Sequence, residues 1–149
     1  ENVLFFGRLY GIPESVVQSR THKLLKMVEL EPEQNKLAGD LSGGMLRRLM
    51  LATTLIHQPS LIILDEPTAG VDPSLRLRFW DWFAELAQTG TTILITTHHI
   101  SEASRCDKVA FLREGKLLEY DTPESLMERY NCNDLEKAFV QATQARIGG

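Results

Sequence analysis

Cysteine is scarce in this 149-residue sequence: Cys106 and Cys132 are the two, in no metal-ligand spacing. That excludes a disulfide-dense scaffold and suggests free thiols in a reducing compartment. No apolar run approaches the ~20 residues a helix needs to cross a bilayer. The opening ENVLFFGRLYGIP has no basic region ahead of its apolar stretch, so no signal peptide is expected. A basic excess is lacking too. The 16 Lys+Arg face 20 Asp+Glu for a net charge of −4, which argues against a protein whose main task is coating nucleic acid. Internal repeats and low-complexity tracts are absent. A content of 43% hydrophobic and 24% charged residues excludes a wholly disordered or collagen-like chain. What is left is one globular domain or a large piece of one. With no initiator Met and an opening inside a helical pattern, a fragment is expected.

Residues 1–58 read as helical. Val3, Leu4, Phe6 and Tyr10 fit a 3.6-residue period that Gly11-Ile12-Pro13 breaks, with Pro13 placed to start the next helix. Val16, Val17, Leu24, Leu25, Val28 and Leu30 continue the pattern, 32–40 is a polar connection, and a further helix runs from Gly44 to Ile56. The pattern then changes. Leu61–Leu64 and Thr91–Thr96 are short apolar or β-branched runs that predict strands buried on both faces. Between them Asp72-Pro73-Ser74 starts a helix over 75–86, which Gly90 stops. A short helix over 100–105, a hairpin turning at Glu114-Gly115, a helix over 123–129 and one weaker helix follow. Strand, helix, strand predicts a parallel α/β core.

Three places carry chemistry. LIILDEP at 61–67 ends a strand in two adjacent carboxylates, Asp65 and Glu66, at the sheet edge where open α/β folds bind ligands. Phosphoryl chemistry wants one acid near Mg²⁺ and another to orient or deprotonate water; two solvated acids in a turn is the plainer alternative. LSGGM at 41–45 puts Ser42, Gly43 and Gly44 before a helix, where exposed backbone N–H groups and the helix dipole favour an anion. The plainer reading there is a helix cap. His98 follows the second strand and could reach a phosphate, or be an ordinary surface histidine.

Taken together, LSGG at 41–44, LIILDEP at 61–67, AGVD at 69–72 and TTH at 96–98 resemble, in order and approximate spacing, the ATP-binding cassette (ABC) ATPases. In that family they are the signature motif, the Walker B strand with its catalytic Glu, the D-loop and the switch His. The resemblance covers essentially the whole chain. It implies an α/β fold, an incomplete P-loop NTPase-like core preceded by a helical signature subdomain. The implied division is a helical subdomain over 1–58, an ATPase core over 59–130 and a tail over 131–149. It also implies ATP and Mg²⁺ as ligands, with Asp65 in the Mg²⁺ shell, Glu66 as general base and His98 at the γ-phosphate. Ser42, Gly43 and Gly44 would clamp ATP held by an opposite cassette, and Asp72 would help the two sites communicate.

Two departures stand out. The signature usually ends in Gln and here ends in Met45, a change seen in exporter-type and drug-resistance-type cassettes and not read as inactivating. No G-x-x-x-x-G-K-[ST] occurs, so the amides and Lys that grip the β- and γ-phosphates are missing and are expected before Glu1. The resemblance further implies a second cassette, in a homo- or heterodimer, transmembrane permease domains as partners, and a place at the cytoplasmic face of a membrane. ENVLFFGRLYG, LSGGM and GVDP are most similar to exporter cassettes with ABC-2-type membrane partners. Residues around Glu1–Tyr10 are candidates for coupling to the membrane domain, with Phe5, Phe6 and Leu9 read as core packing. No nucleic-acid partner is expected. A non-transport ABC ATPase acting on ribosomes or DNA is the alternative; a non-hydrolysing binding module is disfavoured by the presence of Glu66 and His98.

Overall fold

A computed structural model describes residues 1–145; the last four residues of the expected tail lie outside the described residues. The chain forms two compact units, Glu1–Leu94 and Ile95–Gly149.

The first unit opens with three helices, α1 (Asn2–Leu9), α2 (Glu14–Met27) and α3 (Gly43–Leu55). Their starts are local chemistry. Pro13 takes the N-cap position of α2, and Ser42 caps α3 by accepting the Met45 N–H. The polar stretch between α2 and α3 holds two single 3₁₀ turns, Glu31–Glu33 and Ala38–Asp40. Val3, Val17, Val28, Leu30, Leu51, Ala52, Leu55 and Ile56 are all buried and make the apolar interior of this part. Burying each larger side chain is worth ~1.5–3 kcal/mol, so this set, rather than helix propensity, holds the helices.

The face of α1 differs from expectation. Phe5 and Leu9 are 60% and 67% exposed, and Phe6 is exposed as well, not core. Val3 and Gly7, four residues apart and on one side of the helix, are its buried positions. The missing side chain of Gly7 is what lets α1 approach α2, and that choice of face turns the aromatics outward.

Strand β1 (Leu61–Asp65), helix α4 (Pro73–Gln88) and strand β2 (Thr92–Thr96) follow. β1 and β2 are neighbours in a two-stranded sheet, joined through α4 by the kind of crossover that parallel strands need. Leu75, Phe79, Trp80 and Phe83 of α4 are buried, as is Ile62 of β1. The expectation of strands buried on both faces does not hold: Leu61, Ile63 and Leu94 are 53%, 65% and 55% exposed. Side chains alternate across a strand, so a sheet covered on one side leaves every second residue uncovered.

The second unit has a single-turn helix α5 (Ile100–Ala103), the hairpin β3 (Val109–Arg113) and β4 (Lys116–Asp121), and helices α6 (Pro123–Arg129) and α7 (Leu135–Ala145). The hairpin is antiparallel, with Arg113 opposite Lys116 and a register shift between Phe111 and Leu112. Glu114 and Gly115 both have positive φ, 52° and 72°, the pattern of a two-residue type I′ turn. Val109, Phe111, Leu126, Leu135, Ala138 and Ala142 are its core.

Candidate functional site

The start of α3 is the first element of the site. Ser42 is extended (φ −64°, ψ 161°), and its Oγ accepts the Met45 N–H at 3.3 Å. The Leu46 N–H goes to the Ser42 carbonyl at 2.9 Å, so the Gly43 and Gly44 amides precede the helix's own ladder. No acidic residue stands in this first turn. A Cβ placed on either glycine would meet nothing within 4 Å, so the space beside both is open. Such a helix start, with open space beside both glycines and no acid in its first turn, suits a phosphate.

The second element is the exit of β1. Asp65 ends the strand and is exposed, while Glu66 is half-buried in the left-handed region, φ 48°. A non-glycine residue there costs about 1–2 kcal/mol and persists only where its surroundings hold it. The hold is visible in the turn that follows. Ala69 N–H donates to the Glu66 carbonyl at 3.1 Å, Val71 N–H to the Thr68 carbonyl at 3.2 Å, and Thr68 is fully buried. Gly70 supplies a further positive φ of 72°. The turn ends at Asp72, whose Oδ1 accepts the Leu75 N–H at 3.0 Å and caps α4, with Pro73 in the first turn.

Two arginines hold this turn by its carbonyls. Arg47 of α3 donates to Ala69 O at 3.1 Å, and Arg76 of α4 donates to Val71 O at 3.3 Å. A third, Arg48, donates to the Val28 carbonyl at 2.9 Å at the end of α2. Arg48 and Arg78 both pair with Glu29, which is itself left-handed at φ 54°. Nothing in the sequence pattern marks Arg47 or Arg48 for this role. Their acceptors are backbone carbonyls about twenty residues away, which leave no trace in residue type.

Ser42, Gly43, Gly44, Asp65, Glu66 and Asp72 therefore all belong to the first unit. His98 lies in the second, two residues beyond the end of β2. It is exposed, its ring stands 4.1 Å from that of His99 at 39°, and the His99 N–H donates to Thr97 Oγ1 at 3.0 Å.

Among the described residues no group of three or more His, Cys, Asp or Glu side chains could hold a metal ion. Asp65 and Glu66 make no all-protein cage. Asp65 suits Mg²⁺ all the same, because that ion usually takes one or two carboxylates and completes its shell with water and phosphate oxygens.

An acid pair at a strand exit and a Ser-Gly-Gly helix start stand in the first unit, and a histidine follows the next strand in the second. Residues 14–104 match the family model described as "AAA domain, putative AbiEii toxin, Type IV TA system". The "ABC transporter G family member 20" of Dictyostelium discoideum is 41% identical over 137 residues, 92% of this chain and 19% of the relative. The "Nod factor export ATP-binding protein I" of Burkholderia lata is 40% identical over 138 residues, 91% of this chain and 45% of the relative. A solved chain described as "Structure of ATP binding subunit of ABC transporter" superposes with a TM-score of 0.83 at 26% identity, over 95% of this chain and 62% of that one. The cbiO1 protein of Clostridium perfringens, part of the ABC transporter complex cbiONQ, does so at 0.69 and 31% identity, over 85% of this chain and 51% of that one. The chain belongs to this AAA-type ATPase family, as a segment of an ABC nucleotide-binding cassette. It spans less than half the length of either the Dictyostelium or the Burkholderia relative.

Proposed function

We propose that this chain is the signature-and-Walker-B part of a cassette that hydrolyses ATP to drive export through membrane permease domains. The observation that carries the reading is the strand-end pair Asp65-Glu66, with Glu66 fixed in a left-handed turn, in one unit with an open Ser42-Gly43-Gly44 helix start. The half-buried Glu66 carboxylate accepts the proton of the attacking water. Asp65 would hold Mg²⁺, which when bound neutralises charge on the β- and γ-phosphates. Ser42 Oγ and the glycine amides engage the γ-phosphate of ATP held by a second cassette, and His98 contacts the γ-phosphate in its own. Asp72, at the end of the same turn as Glu66, links the two sites.

No helix among the described residues is long and apolar enough to cross a membrane, so the membrane-spanning part is assigned to permease domains. The outward Phe5, Phe6 and Leu9 of α1 are the surface assigned to them. The transporter relatives support this direction, as does membership of the cbiONQ complex for cbiO1. The cassette then works at the cytoplasmic face of a membrane.

Steady-state ATP turnover with and without Mg²⁺ tests the reading on two proteins. A cassette extended N-terminally through a phosphate-gripping loop is expected to hydrolyse ATP in a Mg²⁺-dependent way. The 149 residues alone, with no G-x-x-x-x-G-K-[ST], are expected to bind ATP negligibly and hydrolyse none. Turnover by the 149 residues alone, or none by the extended cassette, overturns it.

A further inference from the structure

The proposed function leaves Arg47 unused. Arg47 lies on α3, in the turn that follows Ser42-Gly43-Gly44, and its residue surface is exposed. Its guanidinium nevertheless donates to the carbonyl of Ala69, 22 residues further on, at 3.1 Å. Holding a long exposed side chain in one place costs rotamer entropy, and a charge-assisted bond to a carbonyl is what opposes that cost.

The acceptor's position is what matters. Ala69 closes the turn that begins at Glu66, since its own N–H is bonded to the Glu66 carbonyl at 3.1 Å. Its neighbour Thr68 is fully buried, and Asp72 ends the same segment. Arg76 holds this turn too, but its bond to Val71 O spans five residues and ties the loop only to the helix that follows it. Arg47 ties the loop to a different helix, the one whose start carries Ser42-Gly43-Gly44.

We propose that Arg47 is a positioning residue for hydrolysis. It fastens the Glu66–Asp72 loop to the signature helix, so a phosphate engaging Ser42, Gly43 and Gly44 also sets the backbone from which Glu66 projects. The proposal rests on the roles given to those residues under the proposed function. Arg47 acts through the Ala69 carbonyl.

The test is a double-mutant cycle on the full-length cassette, read as ATP turnover against ATP concentration. Arg47→Met keeps the length of the stem and removes every donor, whereas Arg47→Lys keeps a donor and the charge. Arg47→Met is expected to lower kcat about tenfold, with KM for ATP changed less than about twofold and most of kcat recovered by Arg47→Lys. In a Glu66→Gln background, Arg47→Met is expected to lower the residual rate no further, because residues acting as a unit are not additive. Wild-type kcat in Arg47→Met, or an undiminished tenfold loss on top of Glu66→Gln, overturns the positioning role. Wild-type turnover by Glu66→Gln alone overturns the underlying assignment of the base instead, which keeps the two failures apart.

Discussion

Gly7 of α1 lies so close to Val17 of α2 that a Cβ on Gly7 would stand 2.0 Å from Val17 Cγ2 and 3.0 Å from Ile56 Cγ1. Val17 and Ile56 are both fully buried and have no room to give. Two effects oppose each other in Gly7→Ala. Alanine gains ~1 kcal/mol of helix propensity over glycine. Overpacking a filled interior costs ~1–3 kcal/mol, and at 2.0 Å the clash falls at the upper end. The expected outcome is a net loss of about 1–2 kcal/mol, seen as a lower urea midpoint at unchanged slope. A variant as stable as the parent would mean that α1 and α2 do not pack this way.

Glu66→Gln keeps the shape of the side chain and removes its basicity. In the full-length cassette, ATP hydrolysis is expected to fall by roughly 10²–10⁴-fold while ATP binding survives. Turnover and nucleotide titration on the same preparation check it. Loss of binding together with turnover would point to a structural role for the left-handed turn at Glu66.

Ser42 both caps α3 and, by the proposed function, meets a phosphate. Substitution separates the two roles. Ser42→Asp keeps a good N-cap, so stability should stay within about 0.5 kcal/mol of the parent. Its negative charge should still abolish ATP-driven dimerisation of a Glu66→Gln cassette, measured by sedimentation with and without ATP. Ser42→Arg should block dimerisation as well, and more than it weakens nucleotide binding by the monomer. Dimerisation of Ser42→Asp at parental ATP concentrations would reduce Ser42 to a cap.

Arg8 and Glu14 form an exposed ion pair across the break between α1 and α2. The hydrogen bond from Arg8 foremost, then that from Gln18, holds the Glu14 carboxyl down to about 2 from an ordinary 4.5. Its folded-state value therefore lies below the unfolded one. The contribution is fully present above pH 4.5 and is lost as pH falls toward 2. A carboxyl-carbon NMR titration should find Glu14 half-protonated near pH 2 in the parent and much closer to 4.5 in Arg8→Met. A parental midpoint at the ordinary value would show that the pair does not form in solution.

Helix starts and the hairpin turn were legible in the residues because they are decided within a few positions. Pro13, Ser42, Asp72 with Pro73, and Thr122 with Pro123 all stand at helix starts, and Glu114-Gly115 makes the turn it suggests. The placement of two motifs was legible too, since Ser-Gly-Gly before a helix and an acid pair after an apolar run are local patterns, found at the start of α3 and the exit of β1. Burial was not. Leu61, Ile63 and Leu94 read as interior residues, but apolarity says only that a side chain gains by being covered, and the tertiary arrangement decides what covers it. The same holds for α1, where the close approach permitted at Gly7 turned Phe5 and Leu9 outward. The left-handed backbone of Glu66 and the bond from Arg47 to Ala69 are likewise products of tertiary structure. A glutamate chooses that conformation only when its neighbours fix it, and a guanidinium finds a carbonyl 22 residues away only after the helix and the turn have been packed together.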